Sequence, residues 1–133
     1  MRVTSRRIDG FTQEVSSGRH TILADEPANV GGNDRGARPT ELLAMSLASC
    51  VAITMQMYAD RKGIDLARLE VEVDYELDPK LGESVFHVAL KLPPGLSEEH
   101  VERLRVIAGK CPVHRTLQGS VKVIDRVQLL PGS

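Results

Sequence analysis

At 133 residues the chain has an ordinary domain size, long enough to bury roughly two-thirds of the surface its unfolded form exposes. Its 17 basic and 18 acidic residues leave no electrostatic footprint for nucleic acid or anionic lipid, and two Tyr, two Phe and no Trp give bases almost nothing to stack on. The start, Met1-Arg2-Val3-Thr4-Ser5-Arg6-Arg7, has no apolar stretch behind its charges, so it reads as a cytosolic protein without a signal peptide, where two cysteines are more often reduced, catalytic or packed than permanently joined.

In chain order, the first two dozen residues predict short strands over Arg2 to Ile8, Phe11 to Ser16 and His20 to Ala24. Asp9-Gly10 and Ser17-Gly18 supply the turns between them. Asp25 to Arg38, rich in Gly, Asn, Asp and Pro and without apolar period, reads as a loop, and long loops in compact domains are often functional. Pro39 suits the first turn of a helix, where its missing N–H is not needed. Glu41 complements the positive end of that helix, Arg61 and Lys62 the negative end, and Gly63 stops it, which predicts a helix over Pro39 to Lys62.

Within that helix Leu42 to Ala59 carries no charge. Ser46, Ser49, Thr54 and Gln56 make it too polar for a membrane span. A helix apolar on most sides is covered by protein on most sides, and in so short a chain that predicts a second copy, a homodimer.

Leu69, Val71, Val73, Tyr75 and Leu77 alternate with Glu70, Glu72, Asp74 and Glu76, the pattern of a half-buried strand with one wet acidic face. Asp78-Pro79-Lys80-Leu81-Gly82 turns it back into Val85 to Leu92. Pro93-Pro94-Gly95 breaks that strand, and Ser97 caps a second helix with Glu98 and Glu99 in its first turn and Val101, Leu104 and Ala108 inward. Pro112 opens a further short helical segment, and Val121 to Leu129 closes the fold as a strand. The pattern is one α+β domain over residues 1–133, without repeats or linkers.

The chemistry in this pattern is thiol chemistry. Cys50 lies mid-helix among Ala48, Ser49, Val51 and Ala52, the setting of a small buried hydrophobe. No helix end acts on it, so an acidic thiol there needs a cation folded over it, from among Arg6, Arg7, Arg19, Arg35 and Arg38. Cys111 precedes Pro112 and so occupies the start of a helical turn, whose unpaired N–H groups favour a thiolate. An ordinary thiol is about 3% ionised at pH 7, and local physics makes Cys111 the more acidic of the two.

Cys111 and His114 have a spacing that suits one metal, but the other ligands of a structural site are missing, so no metal or other cofactor is expected. Gly31-Gly32 lacks the strand–helix context of a phosphate cradle. A Cys–His pair, Cys50 with His114 or His20, stays open as a hydrolase reading.

Two segments together resemble the OsmC/Ohr family, named for osmotic induction and organic hydroperoxide resistance. Gly31-Gly32-Asn33-Asp34-Arg35-Gly36-Ala37-Arg38-Pro39-Thr40-Glu41-Leu42-Leu43, running on to Leu47-Ala48-Ser49-Cys50, is similar to the family's Gly-rich loop, Pro-x-Glu-Leu helix start and mid-helix cysteine. Cys111-Pro112-Val113-His114-Arg115-Thr116-Leu117 is similar to its Cys-Pro-Val motif.

The resemblance implies antiparallel sheets wrapped around a long central helix, in an intertwined homodimer with active sites at the subunit interface. It also implies a peroxidase of organic hydroperoxides in which Cys50 is oxidised to a sulfenic acid, Cys111 resolves it to a disulfide, and a cellular dithiol reduces that. This inverts the local ranking of the thiols, since an arginine from the interface can act on Cys50.

Active members carry a carboxylate directly after the helix-start proline, where it orients the catalytic arginine. Here Thr40 stands in that place and Glu41 follows about 100° around the helix. Arg7, before Ile8-Asp9-Gly10, is the nearest match to the arginine of the hydroperoxide-resistance branch, while Arg35 and Arg38 lie in the loop nearest the helix. The Gly-Gly loop and Thr40 make the chain similar to the less characterised YhfA-like branch. A non-catalytic dimer holding an apolar ligand at its interface is the alternative that Thr40 motivates.

Overall fold

The computed structural model describes residues 1–78, 80 and 82–132. Gly10 at φ +53° and Gly18 at φ +63° take the left-handed backbone that two tight turns require. They join Thr4–Asp9 (β1), Thr12–Ser17 (β2) and His20–Ala24 (β3) into an antiparallel sheet in that order. Val15 pairs with Ser5 on one side and Ile22 on the other. β1 is exposed along its whole length, and the sheet contributes no residue to the central core.

The loop that follows contains one 3-10 turn, Ala28–Val30, and leads into Pro39–Lys62 (α1), with the bounds the sequence predicts. Arg38 is the extended N-cap and Glu41 Oε1 accepts its N–H at 3.1 Å, while Gly63 ends the helix in the left-handed conformation. Glu70–Asp78 (β4) and Glu83–Lys91 (β5) form an antiparallel hairpin in which Tyr75 stacks on Phe86 at 4.2 Å. Pro79 and Leu81 of its predicted turn lie outside the described residues. Ser97 caps Glu98–Ala108 (α2) by accepting the N–H of His100 at 3.1 Å, and Cys111 caps Pro112–Gln118 (α3).

The core forms where α1 meets β4, α2 and α3. Leu47, Val51, Met55, Tyr58 and Ala59 recur every three or four residues on α1 and pack with Ile64, Leu66, Leu104, Ala108 and Cys111. The inner faces of β4 and β5, with Val71, Val73, Phe86, Val88 and Leu90, lie against this cluster. By length and composition α1 is apolar enough to cross a membrane, yet that stripe makes it the core helix of this fold. Its opposite side stays open: Met45, Ile53 and Met57 are 51%, 56% and 58% exposed.

Two expectations change. Val101 does not share the inner stripe of α2, for it is 41% exposed while Leu104 and Ala108 are buried. Val121 to Leu129 is not a strand: residues 120–132 have no regular structure, and Ile124, Val127 and Leu129 are exposed. A strand exists only by pairing, and among the described residues this segment pairs with no strand.

Candidate functional site

Cys50 and Cys111 meet where α1 passes the start of α3. Both are unbridged. Cys50 sits beside the core stripe of α1, half-buried, and faces a groove of about 360 Å³ lined by Ser49, Ile53, Met57, Pro112 and Val113. Cys111 is fully buried. Pro112 holds it in the extended conformation of an N-cap, and its Sγ accepts the N–H of His114 at 3.3 Å. Cys50 packs against the core cluster that contains Cys111, close enough for the two thiols to perturb one another. Two cysteines far apart in sequence are thereby brought to one side of the core.

The electrostatics contradict the acidic Cys111 expected from local physics. Burial pushes the Cys111 thiol up, and the neighbouring Cys50 raises it further. The N–H groups of His114 and Val113 pull the other way and are outweighed by burial. Cys111 is therefore held protonated at neutral pH, while Cys50 is the thiol with a route to solvent.

The candidate arginines stand elsewhere in the chain. Arg7 is exposed and its Nε donates to the carbonyl of Gly10 at 2.8 Å. Arg35 is exposed, and its backbone N–H donates to Asp25. Arg38, at the head of α1, is ion-paired with Glu26 at 3.1 Å and lies more than three turns, roughly 18 Å of helix axis, from Cys50. Among the described residues, none of the three is hydrogen-bonded to either thiol. Thr40 and Glu41 flank a cleft with Arg38, and Glu41 is engaged in capping the helix.

His114 Nδ1 is buried with no hydrogen-bond partner, and the ring lines a cavity of about 590 Å³ between α1, the hairpin and α3. No imidazole is paired with Cys50 among the described residues, and His20 is exposed at the start of β3. No group of three potential metal ligands comes together among the described residues.

The loop carrying Arg35 and Arg38 is organised by a residue that sequence reasoning passed over. Asp25 is 2% exposed. Its carboxylate accepts the Thr12 hydroxyl at 2.6 Å and the N–H groups of Glu26 at 2.7 Å, Arg35 at 3.2 Å and Asn33 at 3.5 Å. The Thr12 hydroxyl, helped by the backbone donors, holds this carboxyl below the usual range against the cost of burial. Gly32 and Gly36 complete the loop: a Cβ on either would collide with the carbonyl oxygen of Glu26 or Leu23. The signal available in sequence was an Asp at a strand end ahead of a Gly-rich run.

Residues 31–124 match the model of the family described as OsmC-like protein. No curated protein matches the chain. Solved structures share the fold. A provisionally named osmotic stress induced and detoxification response protein from Psychrobacter arcticus is 23% identical, with 85% of each chain covered and a TM-score of 0.75. The OsmC-like protein of Mycoplasma pneumoniae is 24% identical over 89% of this chain and 86% of its own, with a TM-score of 0.69. The organic hydroperoxide resistance protein OhrB of Bacillus subtilis is 24% identical over 89% and 90%, with a TM-score of 0.59.

Proposed function

The chain belongs to the OsmC-like family, and from that premise we propose that it is a cytosolic thiol peroxidase of organic hydroperoxides that works as a homodimer. The observation that carries this reading is the placing of a half-buried thiol in an apolar groove against the cluster that holds a second, buried and protonated one. In the first step the Cys50 thiolate attacks the terminal oxygen of the hydroperoxide. An S–O bond forms, the O–O bond breaks, and the alkoxide leaves to be protonated to the alcohol. In the second, the sulfur of Cys111 displaces hydroxide from the sulfenic acid of Cys50, and the thiol proton leaves with it as water. A dithiol then restores both thiols by exchange and is itself oxidised to a disulfide. The groove walls of Ile53, Met57 and Val113 favour alkyl hydroperoxides over hydrogen peroxide.

What one chain leaves open supports a second copy. The outer face of α1 around Cys50, the β1–β3 sheet and the tail after α3 all present apolar side chains to water, among them Ile22, Met57 and Val127. An intertwined pair covers all three, closes the groove over Cys50 and brings arginines from the loop of the other copy, which their own chain cannot bring to that thiol.

The test is trapping. With Cys111→Ser, one equivalent of cumene hydroperoxide is expected to leave a dimedone-reactive sulfenic acid on Cys50. A Cys50 thiol that survives excess peroxide rejects the reading. The cavity beside His114 favours one other reading, a non-catalytic dimer that holds an apolar ligand. Full ligand affinity in Cys50→Ser, together with negligible peroxide consumption by the native protein, would mark it.

A further inference from the structure

α3 is weakly held. It is 7 residues long and none of them is buried. Helices this short are marginal on their own, so α3 depends on what surrounds it. Half-buried Val113 and Leu117 pack against the core, while the Nδ1 of His114 has no partner. Among the described residues no hydrogen bond or ion pair joins α3 to α1, α2 or the hairpin.

What fixes its first turn is the sulfur of Cys111. Pro112 has no N–H, and the N–H of Arg115 goes to the Cys111 carbonyl at 3.0 Å. Among the described residues the N–H of His114 has one acceptor, the Cys111 Sγ at 3.3 Å, and the N–H of Val113 also acts on that sulfur. Helix starts are ordinarily capped by Ser, Thr, Asp or Asn, whose oxygens do not change their bonding. Here the cap is a free thiol that the proposed reaction consumes. The same turn walls the reactive groove, where Pro112 and Val113 of α3 join Ile53 and Met57 of α1. Cys111 itself is fully buried, which leaves that groove as the approach to the pair.

We infer that Cys111 is a redox-released cap: when its sulfur bridges to Cys50 it leaves the His114 N–H, the first turn of α3 loosens, and the groove wall opens to the dithiol that reduces the bridge. This rests on the thiol-peroxidase reading above and adds a conformational step between its oxidation and its reduction. To reach Cys50 the sulfur turns toward α1, and once bonded on both sides it no longer serves the helix start. Exchange needs a thiolate to reach one of the bridged sulfurs, so the opening governs the return step and not the attack on peroxide. Breaking the S–S bond returns Cys111 to the thiol and restores the cap.

The test is the exchange rate of the His114 amide hydrogen in the full, isotope-labelled chain, read by NMR in the reduced and the bridged protein. Because the sulfur is the acceptor of that N–H, the rate reports the cap directly. One equivalent of cumene hydroperoxide is expected to make exchange about tenfold faster, within the range of a lost cap, and dithiothreitol to reverse it. Cys111→Ala exchanges as fast as the bridged chain without any oxidant. Cys111→Ser, whose hydroxyl caps in place of the thiol, stays protected with or without peroxide. Leu117→Ala loosens α3 beforehand, so dithiothreitol reduces its bridge severalfold faster while its oxidation by peroxide keeps the wild-type rate.

Equal protection of His114 in the bridged and the reduced chain would overturn the inference. So would an unchanged His114 amide in Cys111→Ala, or an unchanged rate of reduction in Leu117→Ala. If Cys111→Ala does not fold, the bridged wild type and Cys111→Ser carry the test. Diamide takes up the two thiol hydrogens and makes the same bridge without peroxide. A chain that bridges with diamide but not with peroxide loses the peroxidase reading, and His114 exchange in it still tells for or against the cap. A chain that bridges with neither loses both.

Discussion

At Cys111 two effects of opposite sign meet: helix-start donors that favour a thiolate and burial that opposes one. Burial wins, which leaves half-buried Cys50 as the sulfur more open to reagents. Iodoacetamide is expected to label Cys50 in the native protein and Cys111 only on unfolding, as peptide mass mapping would show. Early labelling of Cys111 would contradict the burial argument. At Asp25 the sign is reversed, because hydrogen bonds hold the folded carboxyl below its ordinary value of 3.8. That stabilisation is present above the unfolded pKa and lost as pH falls through the lower folded one. Asp25→Ala should therefore melt below wild type at pH 7, with the gap closing below about pH 4. A gap independent of pH would assign the loss to something other than the charge. The cysteines were legible in sequence because their flanks are specific. The raised Cys111 thiol was not, since it depends on what α1, α2 and α3 bury together.

Among the elements, α1 was the most legible. Pro39 starts it, Gly63 stops it, and both signals act within a turn of the boundary. The hairpin was legible from its alternation. The tail was misread because apolar alternation gives a preference, whereas pairing depends on a neighbour elsewhere in space. The loop was recognised as a loop, but the hydrogen bonds that order it converge on Asp25 from β2 and from residues up to ten positions onward. The two sides of α1 yield contrasting predictions. Met55→Ala empties the core and should cost about 2–5 kcal/mol in denaturant unfolding. Met57→Ala, on the open side, should leave a single chain's stability within about 0.5 kcal/mol. Its effect should appear as weaker self-association in sedimentation. Equal stability losses at both positions would refute the assignment of faces.

At the scale of the whole molecule, one chain is an incomplete object: a core around α1, a sheet that adds nothing to it, and an apolar tail in water. Removal of residues 120–133 should shift the chain from dimer to monomer and expose more dye-binding surface, and an unchanged dimer would show that the tail does not hold the pair together. The arginines bear on the same proposal, because Arg7, Arg35 and Arg38 have no hydrogen bond to either thiol of their own chain. The account depends on two neighbouring sulfurs exchanging electrons with a peroxide, and the most direct measurement is intact mass with a thiol count on fully reduced protein before and after one equivalent of cumene hydroperoxide. The account predicts that both free thiols of each chain vanish together, with a Cys50–Cys111 link within the chain and a mass lower by two hydrogens. Two thiols still present afterwards, or a link only between chains, would contradict it.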